Sequence, residues 1–188
     1  MSDFVRKILK EVFDQDKIDA FYEKNNIDPN VLHYLGKGHF GKAYSIGDGR
    51  VLKITSSPEE YEIAKHLIGK HFEGLVEYFA AEQIDTRSFY IIEEEAEFDP
   101  SIEDMYFTLY DISENDGGGS MREPLQINIK KYEKDNNLKT YLSEFAQELQ
   151  IVLNGYRRAG VENGDIGPDN LGRNKKGKLV AFDIDGRL

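Results

Sequence analysis

A glycine-rich stretch, LGKGHFGKAY, has the spacing Gly36-x-Gly38-x-x-Gly41, which suits phosphate binding. Glycines let backbone N–H groups approach phosphate oxygens because no Cβ stands in the way. In a dinucleotide-binding unit the pattern would follow a strand and open a helix, but here strand-like sequence lies on both sides. Lys53, on the next predicted strand, could reach the phosphates. The ordinary alternative is a plain hairpin with Lys53 facing solvent.

A second set of polar residues lies in and after the stretch NGDIGPDN. Asp165 and Asn170 are five residues apart, and Asp183 and Asp185 follow at the end of an apolar segment. Taken singly, each of these residues is typical of a turn or a strand end. Such turns do not account for the order in the chain: glycine-rich hairpin, strand lysine, helix glutamate, Asp-x4-Asn after a long helix, and a strand-end aspartate.

The elements that must position these residues can be predicted from periodicity and turn signals. Residues 31 to 95 are predicted to form three strands, one helix and two further strands, with a hairpin turn at Gly47-Asp48-Gly49. The helix has a clear beginning, because Ser57 suits the N-cap, Pro58 the first helical position, and Glu60 a capping box with Ser57. Two N-terminal helices, over residues 3–13 and 16–26, precede the strands.

The second half of the chain contains one strong helical signal. Apolar residues at spacings of four and three from Leu138 to Tyr156 predict a long helix that ends at Gly160. A last strand is predicted in KLVAFDID. In residues 97–136, alternating apolar residues around ENDGGGS predict a β-hairpin: Met105, Phe107 and Leu109 on one side, and Leu125, Ile127 and Ile129 on the other.

Composition limits the classes of partner. Lys and Arg number 24 against 35 Asp and Glu, for a formal net charge of −11 over 188 residues, which repels nucleic acid and anionic membranes. The basic cluster RNKKGK is typical of a solvated turn. Without cysteine there is no thiolate metal site, and neither a membrane-spanning apolar run nor a signal peptide is evident. We expect a cytoplasmic protein that binds neither nucleic acid nor membranes.

The order of the motifs resembles the protein-kinase fold, from about residue 31 to residue 186. The resemblance implies an α+β, bilobal, protein-kinase-like fold with a small antiparallel-sheet N-lobe that carries one helix, and a reduced helical C-lobe. Residues 1–30 would be an N-terminal helical extension, residues 31–96 the N-lobe, and residues 97–188 the C-lobe with an acidic insertion at 97–136.

The resemblance also implies a role for the polar residues near the C-terminus. Asp165 matches the catalytic-loop aspartate that orients and deprotonates the accepting hydroxyl, and Asn170 matches the metal-binding asparagine. Asp183 matches the aspartate that holds Mg²⁺ between the phosphates, with Asp185 as a second candidate ligand.

In the N-lobe the resemblance implies an ATP site. Lys53 would pair with a helix carboxylate, for which we prefer Glu62 over Glu59 and over Glu60, because the capping box already employs Glu60. The strand and hinge FYIIEEEAE would contact adenine through backbone groups around Glu94 to Ala96. The predicted nucleotide-binding residues are Gly36, Gly38, Phe40, Gly41, Lys53, Glu62, Glu94 and Ala96.

Three departures from the family refine the functional prediction. Asn163-Gly164 stands where kinases usually have His-Arg, which argues against control by activation-loop phosphorylation, and Asp183-Ile184-Asp185-Gly186 replaces Asp-Phe-Gly. The sequence stops at Leu188, as expected for minimal kinases like those of bacterial effectors and phages, which would act in a host cytoplasm. We expect a Ser/Thr-type protein kinase using ATP and Mg²⁺, with a protein substrate or activating partner. The alternatives are a kinase-fold binding module with little turnover and a small-molecule phosphotransferase.

Overall fold

The computed structural model describes residues 15–114, 140–162 and 166–184 of the chain. These residues form two compact units. The first contains the described residues up to Lys70 together with Glu77–Glu95, and the second contains His71–Val76 and the described residues from Ala96 onward. The predicted helix over residues 3–13 lies outside the described residues.

The first unit is built on a five-stranded antiparallel sheet. Its strands are β1 (His33–Lys37), β2 (Gly41–Gly47), β3 (Arg50–Thr55), β4 (Tyr78–Gln83) and β5 (Phe89–Glu94), in the spatial order β1-β2-β3-β5-β4. The tight β2–β3 turn is confirmed: Gly47, Asp48 and Gly49 all have positive φ, at 83°, 53° and 71°. This is the conformation that glycine adopts without a steric penalty.

Helices cover both faces of this sheet. Helix α1 (Gln15–Lys24) contributes Ile18 and Phe21 to a buried cluster with Leu52 of β3 and with Tyr90 and Ile92 of β5. Burial raises the pKa of the Tyr90 hydroxyl well above its usual value. The other face lies against helix α2 (Pro58–Leu67), which packs on β4 and β5.

The beginning of α2 is the one predicted from the sequence. The Ser57 Oγ accepts a hydrogen bond from the Glu60 backbone N–H at 3.2 Å, and Pro58 occupies the first helical turn. The order of strands and helix predicted for residues 31 to 95 is therefore correct, and the α+β class with a small antiparallel sheet and one helix after the third strand is confirmed.

The second unit combines two helices with a small hairpin. Its described elements are α3 (Pro100–Glu114), α4 (Thr140–Ala159), a 3₁₀ turn (Pro168–Asn170), and the antiparallel strands β6 (Leu171–Arg173) and β7 (Leu179–Ala181). The long helix, its end at Gly160 with φ of 72°, and the final strand agree with the sequence prediction. Arg173 joins the hairpin to α4 through an ion pair with Glu148 at 3.0 Å.

The predicted β-hairpin in residues 97–136 is wrong for its first half. Met105, Phe107 and Leu109 lie in helix α3, and Ile102, Tyr106 and Leu109 are buried at helical spacing within its described side chains. Asp99 caps this helix by accepting hydrogen bonds from the backbone N–H and the hydroxyl of Ser101, at 2.9 and 2.7 Å. Leu125, Ile127, Ile129 and the ENDGGGS segment lie outside the described residues.

None of the helices among the described residues is long and apolar enough to cross a membrane.

Candidate functional site

A buried ion pair is the central feature of the first unit. The Nζ of Lys53 contacts the Oε1 of Glu60, and these two residues are only 9% and 4% exposed. Charged side chains are rarely so buried unless they are paired. Lys53 therefore does not face solvent, and the strand lysine and a glutamate of the following helix are joined as the resemblance implies.

The preferred partner in the sequence prediction, Glu62, is wrong. Its carboxylate lies on the exposed side of α2, where both oxygens accept hydrogen bonds from Lys65 Nζ at 3.2 and 3.3 Å. Two helical positions correspond to a rotation of about 200°, so Glu60 and Glu62 point to opposite sides of the helix. Since the side facing the sheet carries Glu60, this residue meets Lys53.

The glycine-rich turn between β1 and β2 is held by backbone hydrogen bonds. The Gly38 N–H donates to the Gly41 carbonyl at 3.0 Å, while the Phe40 carbonyl accepts from the Ser56 N–H and hydroxyl at 2.9 and 3.0 Å. The Phe40 side chain is 54% exposed. The turn is thus fixed to the residues that follow β3, and the Phe40 ring packs edge-on against the His39 ring, with centroids 4.6 Å apart.

The glycines of this turn differ in their surroundings. A Cβ on Gly41 would overlap the Ile54 carbonyl oxygen and lie 3.0 Å from the Thr55 Cα, whereas a Cβ on Gly36 would meet no atom within 4 Å. Gly41 is therefore required for the close approach of β2 to β3. The open space at Gly36 is compatible with a role in ligand binding.

In the segment predicted to contact the base, Glu94 to Ala96, two backbone amides already donate hydrogen bonds within the protein. The Glu94 N–H donates to the Glu77 carbonyl and the Glu95 N–H donates to the Gly49 carbonyl, both at 2.8 Å. These two amides already have acceptors. A base contact in this segment would therefore not use these two amides.

Glu93 is a buried carboxylate that the sequence reasoning did not single out. It is 5% exposed and pairs in register with Val51, while Lys53 pairs with Ile91, so Glu93 lies on the same sheet face as Lys53. In the sequence it belongs to the acidic run at the end of FYIIEEEAE. Only the period-two alternation along β5 could have indicated its burial.

In the second unit the hairpin brings two predicted metal ligands to one end. Leu171 pairs with Ala181, and just beyond this pair the Asn170 carbonyl accepts the Phe182 N–H at 3.0 Å. Asn170, just before β6, and Asp183, two residues after β7, therefore lie at the same end of the hairpin. Their amide and carboxylate oxygens are ligands that suit Mg²⁺.

Asp183 has an unusual backbone conformation. Its φ is +53°, in the left-handed region that asparagine and aspartate adopt more readily than most other non-glycine residues, and it lies two residues after β7. Strained residues of this kind cluster at functional sites. Asn26 and Asp48 have the same φ of 53°, so this conformation alone does not distinguish Asp183 from an ordinary turn residue.

The remaining predicted residues of the second unit fall outside the described part of the chain. These are Asp165, with its neighbours Asn163 and Gly164, and Asp185. Within residues 15–114, 140–162 and 166–184, no group of three or more His, Cys, Asp or Glu side chains is arranged to hold a metal ion.

Comparisons with known proteins give a likeness in structure and no match in sequence. No protein-family profile matches the chain, and no curated protein matches it. Among solved structures, the chain is similar to Rad53 in complex with AMP-PNP, with a TM-score of 0.46 and 14% sequence identity over 81% of this chain. The chain spans 37% of the length of that Rad53 chain.

Proposed function

We propose that this protein binds ATP with Mg²⁺ and transfers the γ-phosphate to a protein hydroxyl, as a Ser/Thr-type protein kinase. The observation that carries the proposal is the buried Lys53–Glu60 ion pair on β3 and α2, next to a glycine-rich turn between β1 and β2. Phosphoryl transfer depends on positioning and on charge neutralisation more than on covalent chemistry. A fixed ammonium group beside a glycine-rich turn would supply both.

The ion pair gives Lys53 a defined direction. An ammonium group has three donors, and Glu60 accepts at one position. Lys53 is on a strand and Glu60 is in the first turn of a helix, so regular backbone hydrogen bonds hold both residues. The lysine is therefore preorganised, which lowers the cost of binding an anionic ligand.

Magnesium would be held by Asn170 and Asp183, with Asp185 as a further candidate ligand. Bound Mg²⁺ would neutralise charge on the phosphate oxygens. The side-chain oxygens of Asn170 and Asp183 are the kind of ligand that Mg²⁺ prefers. Asp165, by its resemblance to the catalytic-loop aspartate, would orient the accepting hydroxyl and take its proton.

Labelled ATP tests the proposal directly. Incubation with Mg²⁺ and candidate protein substrates is expected to label serine or threonine, and Asp165→Ala is expected to abolish the label. Asp169→Ala is the matched control, because Asp169 lies in the same segment and is exposed. Equal labelling by wild type and Asp165→Ala would refute the assignment of Asp165.

A kinase-fold binding module is the main alternative, and Asn163-Gly164 in place of His-Arg favours it. Such a module would hold a nucleotide with little turnover. Ligands that bind the native state raise the melting temperature. A thermal shift with Mg-ATP, combined with no phosphate transfer to any substrate, would support the binding module over the kinase.

A further inference from the structure

The junction between β3 and α2 is short and rich in hydroxyl groups. Thr55 ends β3, Pro58 begins α2, and only Ser56 and Ser57 lie between them. Thr55 and Ser57 are 2% and 7% exposed. Glu60 is in the first turn of α2, immediately after this junction. The hydrogen bonds of the junction therefore influence whether the Glu60 carboxylate bonds to the helix cap or to Lys53.

A capping box normally contains two reciprocal hydrogen bonds. The N-cap hydroxyl accepts from the backbone N–H of the third helical residue, and the carboxylate of that residue accepts from the N-cap backbone N–H. The first bond is present, from the Glu60 N–H to the Ser57 Oγ at 3.2 Å. The second bond is replaced, because the Ser57 N–H donates instead to the Thr55 Oγ1 at 3.1 Å.

The replacement changes what the Glu60 side chain does. With the Ser57 amide satisfied by Thr55, the carboxylate of Glu60 is not needed at the cap and contacts the Nζ of Lys53. Thr55 and Lys53 are two residues apart on β3, so both side chains point to the sheet face that lies against α2. The Thr55 hydroxyl and the Lys53 ammonium therefore reach the beginning of α2 together.

We propose that Thr55 is a positioning residue: its hydroxyl accepts the Ser57 amide and thereby releases the Glu60 carboxylate to pair with Lys53. Without this hydroxyl, the capping-box acceptor for the buried Ser57 amide is the Glu60 carboxylate, and its return to the cap would take it from Lys53. The partner exchange is a property of the fold, and its effect on nucleotide binding rests on the proposed function.

Two substitutions at Thr55 separate the hydroxyl from the packing. Thr55→Val keeps the shape and removes the hydroxyl, and Thr55→Ser keeps the hydroxyl and removes a methyl group. The rate at which an amine-specific acylating reagent modifies Lys53 is measured against pH by peptide mass spectrometry. Lys65 is the internal control, because it lies on α2 and pairs with the exposed Glu62.

The expected result is a change confined to Lys53. A buried ammonium that loses its carboxylate deprotonates more readily, so the pH profile of Lys53 should move to lower pH in Thr55→Val, while Thr55→Ser keeps the wild-type profile. Glu60→Gln should give the same profile as Thr55→Val. The profile of Lys65 should be the same in all four proteins. A purely structural role for Thr55 would lower the melting temperature and leave the Lys53 profile in place, which would overturn the proposal.

Nucleotide affinity distinguishes this proposal from the proposed function. The loss of one hydrogen bond that positions Lys53 is expected to reduce the affinity for ATP roughly fivefold to tenfold in Thr55→Val. Thr55→Ser, which keeps the hydroxyl, is expected to bind ATP with the wild-type affinity. If the Lys53 profile shifts but the wild type binds no ATP, the positioning role stands and the proposed function fails. If ATP binds and the profile in Thr55→Val equals that of wild type, the positioning role fails.

Discussion

Removal of one partner of the Lys53–Glu60 pair is predicted to destabilise the protein far more than removal of both. Glu60→Leu leaves the Lys53 ammonium buried without its carboxylate, and Lys53→Met leaves the carboxylate without its ammonium. An uncompensated buried charge costs about 3–5 kcal/mol of the free energy of unfolding. Replacement of both by apolar residues of similar volume removes the two charges together.

The structure sets the magnitude because both groups are sequestered from water. The exposed fractions of the two side chains are 11% for Lys53 and 4% for Glu60, so solvent can screen neither charge. The double variant Lys53→Met with Glu60→Leu is predicted to be within about 1 kcal/mol of wild type or more stable, because the desolvation of both charges is no longer required. The single changes must therefore be strongly non-additive.

Urea denaturation followed by far-ultraviolet circular dichroism measures the four free energies of this cycle. Glu62→Leu is the matched control: the same substitution in the same helix, at a residue whose side chain is 58% exposed and whose partner Lys65 is 46% exposed. Pairs of this kind contribute about 0–1 kcal/mol. The control is therefore predicted to change stability by less than about 1 kcal/mol.

Additive effects would refute this reasoning. If the double variant lost the sum of the two single losses, the residues would contribute independently and would not form a buried pair. Equal effects of Glu60→Leu and Glu62→Leu would also contradict the distinction drawn between the two faces of α2.

Two further predictions follow from local geometry. Gly41→Ala should destabilise the first unit, because its Cβ would overlap the Ile54 carbonyl, whereas Gly36→Ala should leave the melting temperature almost unchanged and weaken ATP binding. Asp99→Ala should cost about 1 kcal/mol through loss of the α3 cap. The hydrogen bonds from Ser101, and to a lesser extent Arg173, hold the pKa of Asp99 below its usual 3.8. This stabilisation is present above about pH 4 and is lost as the pH falls through the lower folded-state pKa, so urea titrations from pH 6 to pH 2 should show a weaker acid dependence in Asp99→Ala.

Local sequence signals were sufficient for most of the first unit. Ser57 and Pro58 marked the beginning of α2, and the Gly47-Asp48-Gly49 turn fixed the pairing of β2 with β3. These signals act through hydrogen bonds and backbone conformations within a few residues of each other. For that reason they can be recognised without knowledge of the tertiary structure.

The partner of Lys53 could not be recognised in this way. The capping-box pattern assigned the Glu60 carboxylate to the Ser57 amide, and that local rule favoured Glu62 as the partner. The structure shows the amide bonded to Thr55 instead. The exchange depends on which side chains β3 presents to the first turn of α2, and a short sequence pattern does not contain that information.

Helix α3 shows a different kind of failure. Met105, Phe107 and Leu109 alternate as in a strand, but Ile102, Tyr106 and Leu109 are the residues that become buried. Over so few residues the apolar pattern fits both the two-residue period of a strand and the 3.6-residue period of a helix, and tertiary contacts decide between the two structures. The Asp99-Pro100 sequence was a usable helix-start signal that would have favoured the correct structure.

Nucleotide binding with and without magnesium tests the central claim most directly. Isothermal titration of ATP into wild type and Asp183→Ala, each with and without Mg²⁺, should show that magnesium strengthens binding to wild type alone, with the magnesium-independent binding retained in the variant. Asp169→Ala should behave as wild type. Absence of ATP binding to wild type under both conditions, or an equal effect of magnesium on wild type and Asp183→Ala, would contradict the assignment of an ATP and magnesium site to this protein.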